Sequence, residues 1–241
     1  MTSTITLKDN TFFKIVDLLK DLKDDCIFTF TEKGIEINTI DEAQINFIQI
    51  SLEDVYSVCK LKKKTSINAN MKDLHKILNC MEKDETCQIN FKSDFLQFVF
   101  KNQKNDAYSK YKLKLLDFDE DEILDSDDVP PVESNTTLVM ASKYFTTLCK
   151  KVSKFDESLL VECNEEKNEV LIKSGTEDSV ELKIVEEEDK VKTLSIEEDL
   201  KVMVLLKYLL IFSKGEKFTE QVTLNMEDGN SPIEIVYKFE N

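Results

Sequence analysis

The chain has no arginine and no tryptophan, one histidine, four glycines and three prolines in 241 residues, and each scarcity excludes a class of function. Without arginine, the bidentate fork that reads guanine edges is missing, so sequence-specific DNA reading is not expected. His75 is the only histidine and the cysteines do not cluster, which leaves no zinc constellation and no Ser–His–Asp or Cys–His set; it reads as a helix-surface residue. Gly34, Gly175, Gly215 and Gly229 are too dispersed for GxGxxG or GxxxxGK[ST], so no phosphate-cradling loop is visible. No catalytic residue, metal or cofactor is expected. The six cysteines never form CxxC and no basic-then-apolar leader opens the chain, which reads as reduced intracellular thiols. The most apolar run, 202–212, is broken by Lys207 and is too short to span a bilayer, so no membrane partner is expected.

Charge, by contrast, is abundant. Forty-eight acidic residues face 32 lysines, a net charge of −16, which on average disfavours nucleic acid and anionic membranes. Acid concentrates in FDEDEILDSDDVPP (118–131), with seven carboxylates in fourteen positions and no base. Asp117, Asp119, Asp121, Asp125 and Asp128 match an EF-hand count, but Glu122 stands where the sharp turn needs glycine and Asp128 where a bidentate Glu belongs. The preceding YKLKLL also alternates with period two instead of forming an entering helix. With the only Pro-Pro pair of the chain, the stretch reads as a connector, 117–133, between a first domain, 1–116, and a second, 134–241.

Hydrophobic periodicity predicts four short amphipathic helices. They are 9–23 (burying Phe12, Ile15, Val16, Leu19, Leu22), 71–81 (Met71, Leu74, Ile77, Leu78), 142–155 (Phe145, Leu148, Cys149, Val152) and about 205–214 (Leu205, Tyr208, Leu209, Phe212). Period-two runs predict seven strands between 26–30 and 111–116 and eight between 136–141 and 233–239, so β outweighs α. Phe12, Ile15, Val16 and Leu19 recur as Phe145, Leu148, Cys149 and Val152 at an offset of 133, and Lys76-Ile77-Leu78 recurs as Lys207-Tyr208-Leu209 at 131. The two halves follow one plan.

Opposite its apolar stripe the third helix carries Lys143, Thr147, Lys150 and Lys154; the second carries Lys72, Lys76, Asn79 and Lys83; the fourth carries Lys207 and Lys214. The first is poorer, with Lys14 outward near Asp17 and Asp21 and Lys20 toward the flank. Lysines commonly solvate helix faces, but in so acidic a chain several basic faces imply positive charge segregated onto one surface. Such a surface holds phosphates as point charges, without base preference. Two further runs read as complementary edge strands: YSKYKLKLL (108–116), with Tyr111 and Leu113 opposite Lys110, and EDSVELKIVEEE (177–188), with Val180, Leu182 and Ile184 in an acidic setting. They could pair head to tail between copies or within one chain.

Taken in order, DNTFFKIVDLLKDL (9–22), GIEINTIDEAQINFIQISL (34–52), MKDLHKIL, YKLKLLDFDEDEI, YFTTLCKKVS, LKYLLIFSKG and VTLNM…SPIEIVYKF resemble the DNA sliding clamps of the proliferating cell nuclear antigen type over essentially the whole chain. The 34–52 stretch ends in a pattern similar to D-x-x-x-V/I-x-L/F-V/I-Q-L/I, carried by Asp41, Ile45, Phe47, Ile48, Gln49 and Ile50.

The resemblance implies an α+β fold: two similar domains of the processivity-clamp type, antiparallel sheets outside and four short helices lining an inner face, assembled as a homotrimeric ring. It implies a non-enzymatic polymerase processivity factor that encircles double-stranded DNA. Partners would be DNA polymerase, other proteins bearing clamp-binding peptides, and a clamp-loader ATPase, in the nucleus or at a cytoplasmic replication site if the source is a virus. It places DNA-facing charge on Lys14, Lys20, Lys76, Lys150, Lys207 and Lys214, to which helical geometry adds Lys72, Lys83, Lys143 and Lys154. It places a partner-peptide pocket on Ile40, Gln44, Ile45, Ile123, Leu124, Pro232 and Ile233, with Val129 as a further candidate from the connector, and a subunit-contact aromatic on Tyr111.

The chain departs from that family in three ways. Thr147 stands where arginine is usual, the connector is longer and more acidic, and the second half has no match to 108–116. Two other readings fit the same residues: a monomeric or hetero-oligomeric clamp-like accessory subunit, and an acidic protein-interaction module with no DNA role.

Overall fold

The computed structural model describes residues 3–102, 104–105, 107–124 and 133–238. The chain divides into two compact units, Met1–Val129 and Pro130–Asn241. In the first, β1 (Thr4–Leu7) leads to α1 (Thr11–Leu19), β2 (Asp25–Phe30), β3 (Gly34–Ile40), β4 (Phe47–Glu53), β5 (Tyr56–Lys60), β6 (Thr65–Asn70), α2 (Met71–Leu78), β7 (Glu85–Phe91), β8 (Phe95–Asn102) and β9 (Tyr108–Lys114). The second runs β10 (Thr136–Ala141), α3 (Ser142–Val152), β11 (Ser158–Asn164), β12 (Glu169–Ser174), β13 (Val180–Ile184), β14 (Val191–Ile196), β15 (Leu200–Leu205), α4 (Leu206–Phe212), β16 (Gln221–Met226) and β17 (Glu234–Val236).

The repeat visible in the sequence is a repeat of topology. Sheets ordered β5-β1-β7-β8-β9 and β4-β3-β2-β6 in the first unit correspond to β14-β10-β16-β17 and β13-β12-β11-β15 in the second. All their strand pairings are antiparallel. In both units a strand passes into a helix without a loop, because the residue at the junction keeps an extended backbone while the next turn winds. Asn70, Ala141 and Leu205 hold ψ near 124°, 128° and 118°. The first helical N–H groups are met from outside: Met71 N–H donates to the Asp24 carbonyl at 2.7 Å and Leu206 N–H to the Glu157 carbonyl at 2.9 Å. Asn70 also caps α2 with its side chain, accepting from Asp73 N–H at 3.1 Å.

Each unit is held by an apolar layer closed by its helices. In the first, Phe12 on α1 meets Phe28 on β2 edge to face (5.7 Å between centroids), and Phe30 meets Phe91 of the other sheet (5.0 Å). Phe28, Phe30, Phe98 and Phe100 are fully buried. Side chains of that size stabilise by about 1.5–3 kcal/mol each on burial. The second core gathers Phe145, Leu148, Cys149 and Val152 of α3 with Val170, Val191, Val222 and Met226 from the strands. Cys26, Cys87, Cys149 and Cys163 are buried thiols; burial pushes the first three up to about 12 and Cys163 up to about 11.

Several expectations need correction. The helices are shorter than their periodicity suggests, so Lys83 and Lys154 lie past the ends of α2 and α3. Leu205 is 44% exposed and belongs to β15, whose outward residues are Lys201, Met203 and Leu205; Leu206 takes the core position instead. Ile77 and Phe212 are only half-buried. β1 and β5 were not anticipated.

On the two proposed edges, β9 and β13 are indeed terminal strands of their sheets. Leu113 and Ile184, however, turn into their own units' cores and can offer a neighbour only backbone.

Candidate nucleic-acid and partner-binding surfaces

In the first unit α1 packs beside α2, and in the second α3 packs beside α4. Their apolar faces are fixed by the cores, which leaves the lysines on the opposite faces. Lys72, Lys76, Lys83, Lys143, Lys150, Lys154 and Lys207 are exposed, whereas Lys14, Lys20 and Lys214 are half-buried.

Their electrostatic settings differ. Lys20 lies 3.0 Å from Asp21 and 3.4 Å from Asp17, and Lys72 lies 2.6 Å from Asp24. Burial would lower the Lys20 ammonium, but the Asp21 and Asp17 carboxylates together hold it above its ordinary value; the hydrogen bond to Asp24 does the same for Lys72. Lys76, Lys83, Lys143, Lys150, Lys151, Lys154 and Lys207 form no ion pair among the described residues, and Lys207 rests over the Tyr208 ring at 4.5 Å. Thr147 lies in the same stripe as Lys143 and Lys150, but its hydroxyl donates to the Lys143 carbonyl at 2.8 Å.

A second surface in the first unit is built around the loop Asp41–Asn46. Asp41 is buried, and its Oδ1 accepts from Ile45 N–H at 2.8 Å and Asn46 N–H at 2.7 Å. Asp41 N–H in turn donates to the Asn46 carbonyl at 3.0 Å, closing the loop. The loop is tied to the end of α1 by Glu42 N–H to the Leu22 carbonyl (3.2 Å) and by Lys23 Nζ to the Ile40 carbonyl (2.9 Å). Gln44 adopts a left-handed backbone, φ 56°, and Ile45 is presented 60% exposed. Asn38 on β3 donates to the Leu124 carbonyl at 3.1 Å, which ties the end of the 3-10 turn Glu120–Glu122 to this sheet. Ile123 is exposed and Leu124 half-buried.

Over residues 4–123 the chain matches the family model for the proliferating cell nuclear antigen N-terminal domain, and over 128–241 the one for its C-terminal domain. The chain belongs to the proliferating cell nuclear antigen family. Among relatives, proliferating cell nuclear antigen 2 of Drosophila melanogaster is 23% identical over 255 aligned positions, spanning 100% of this chain and 91% of that protein. The proliferating cell nuclear antigen of Chaetomium thermophilum is 26% identical over 156 positions, 64% of this chain and 59% of that protein. The family is that of the sliding clamps, non-enzymatic processivity scaffolds of DNA replication, and the two-domain α+β architecture is the clamp fold.

Within this clamp, Ile40, Gln44, Ile45, Ile123 and Leu124 come together on the β3–β4 side of the first unit. Pro232, exposed, and Ile233, packed on the second core, belong to the other unit. Val129 lies outside the described residues. On β9, Lys110 is exposed and Tyr111 is half-buried against Phe100 (5.2 Å); on β13, Val180 and Leu182 are half-buried. Sequence reasoning missed what Asp41 does, although an aspartate opening a DEAQIN loop is a turn-forming signal. It also missed Lys151, exposed one turn after Thr147 on the same side of α3.

Proposed function

We propose that this protein is a ring-forming DNA clamp that encircles duplex DNA and tethers DNA polymerase and other replication or repair enzymes to it. The observation that carries this reading is α3: three exposed or outward lysines and no acidic residue on one helix of a chain whose net charge is −16. Contacts of that kind hold phosphates weakly and without register, so retention depends on closure of the ring, and sliding stays easy.

Ring closure would come from antiparallel pairing of β9 of one copy with β13 of the next, giving a homotrimer. Both are sheet edges with alternating charge, Lys110, Lys112 and Lys114 on one and Glu181 with Lys183 on the other. Backbone supplies the affinity of such an edge contact and side chains supply its register. Partner peptides would dock against Ile40, Ile45, Ile123 and Leu124, with Pro232 and Ile233 completing the pocket, and acidic residues of the connector, 117–133, would favour peptides with basic flanks. A clamp-loader ATPase would open the ring, because the chain shows no nucleotide-binding loop of its own. The site of action would be the nucleus, as for the family at large.

Light scattering tests assembly: a mass near three times 27.9 kDa supports the ring, and a monomer at micromolar concentration counts against it. Replacing Lys150, Lys154 and Lys207 with alanine should weaken salt-sensitive association with duplex; unchanged association and unchanged stimulation of a polymerase would refute the basic-surface reading.

A further inference from the structure

The two helix pairs do not present their lysines alike. α3 carries Lys143, Lys150 and Lys151, and α4 carries Lys207, with no acidic residue on either helix. α1 carries Lys14 and Asp17, and α2 carries Lys72, Lys76 and Asp73. Asp17 sits where α1 meets α2, with its carboxylate 3.2 Å from His75 Nε2 and 3.4 Å from Lys20 Nζ. Lys20 also donates to Asp21 at 3.0 Å. The Lys20 ammonium therefore shares its field with two carboxylates, and that local group is net negative.

A phosphate approaching it would have to displace an existing partner and would meet repulsion from both acids. A lysine releases counterions from DNA only to the extent that its charge is not already met within the protein. Lys143, Lys150, Lys151 and Lys207 carry no such burden.

Taking the clamp reading as given, we propose that Asp17 and Asp21 tune the grip on DNA. They withhold Lys20 from phosphate, so that each protomer holds duplex chiefly through α3 and α4, with Lys151 as a further phosphate contact. The first unit's helices then act as a weakly interacting wall, which favours sliding over static binding.

The test is the binding of the full-length chain to a short fluorescent duplex, followed by anisotropy across a salt series. Asp17→Asn with Asp21→Asn should tighten binding about eight-fold at about 0.1 M salt, the effect of one added phosphate contact at a log–log slope of about 0.9 per contact. In a Lys20→Met background that gain should vanish. Glu177→Gln with Asp178→Asn, on the exposed β12–β13 turn, removes the same formal charge elsewhere and should not reproduce the gain. Equal tightening by both pairs, no tightening by the Asp17/Asp21 pair, or a gain that survives Lys20→Met would overturn the proposal. If Lys150→Ala with Lys207→Ala leaves binding unweakened, the DNA-contact reading itself fails, separately from this tuning. Thermal unfolding of each variant confirms that a folded protein is being compared.

Discussion

Replacing Asp41 with alanine should damage both stability and partner binding. The carboxylate accepts two backbone N–H bonds, from Ile45 at 2.8 Å and Asn46 at 2.7 Å, and a longer one from the Asn46 side chain at 3.3 Å. Charge-assisted bonds contribute about 1.5–3 kcal/mol each. Water can reach the loop once it opens, since Ile45 is 60% exposed, so part of that loss is recovered. A net cost of about 2–4 kcal/mol follows, equivalent to a fall in Tm on the order of 10 °C for a unit of this size. Asp41→Asn keeps one acceptor oxygen and should lose roughly half as much.

The two consequences separate by assay. Differential scanning calorimetry reads the stability loss. Titration with a peptide of the pattern Q-x-x-hydrophobic-x-x-aromatic-aromatic reads the pocket, because without the Asp41 bonds Ile45 is no longer held in one place. A Tm within about 1 °C of the parent together with undiminished peptide binding would refute the claim that Asp41 organises this loop.

Other outcomes are open to direct measurement. Under native conditions an aromatic disulfide reagent should titrate Cys59 and Cys80 and leave Cys26, Cys87, Cys149 and Cys163 unreacted until unfolding; rapid reaction of all six would show that the cores are not closed as described. The Glu162 carboxyl is held below its ordinary range by Lys173 and Lys201, and Glu169 by Lys183. Their contribution to stability is therefore present above the ordinary carboxylate pKa and lost as pH falls through the depressed value. Acid titration followed by circular dichroism should show that loss reduced in Glu162→Gln, and an unchanged acid limb would contradict it. Gly34→Ala should destabilise strongly, since an added Cβ would sit 1.8 Å from the Leu52 carbonyl oxygen; a thermal melt matching the parent would contradict the close β3–β4 approach. Gln44→Gly should be neutral or stabilising by up to about 1 kcal/mol, because glycine adopts a left-handed backbone without strain, and a marked drop in Tm would point to a role for the Gln44 side chain that its exposure does not suggest.

Much of this was legible because a buried face imposes its period on the sequence. All of the apolar positions expected on α1 and α3 are buried. Leu205 went astray by one residue because strand β15 runs straight into α4, and at such a junction period two and period 3.6 both fit LLKYLL. β5 escaped because only Tyr56 is buried and the rest of YSVCK faces solvent at a sheet edge, so no alternation marks it. β1 is four residues long, too short for periodicity to register. The lysine faces could be read from composition, but their strength could not. Neutralisation of Lys20 depends on where α1 ends and on a carboxylate shared with His75 across two helices, and neutralisation of Lys72 depends on an aspartate 48 positions away. The organising role of Asp41 is likewise a property of backbone geometry, visible only once the loop is closed.

The central claim is topological, and an end-blocking experiment addresses it most directly. The protein is allowed to thread onto a linear duplex whose biotinylated ends are free, the ends are then capped with streptavidin, and the DNA is washed at high salt. A ring that encircles the duplex stays on capped DNA and is lost from uncapped DNA, because salt removes lysine–phosphate contacts but not a topological link. Complete loss from both, at the same salt, would show that the protein holds DNA only by surface charge and would contradict the account.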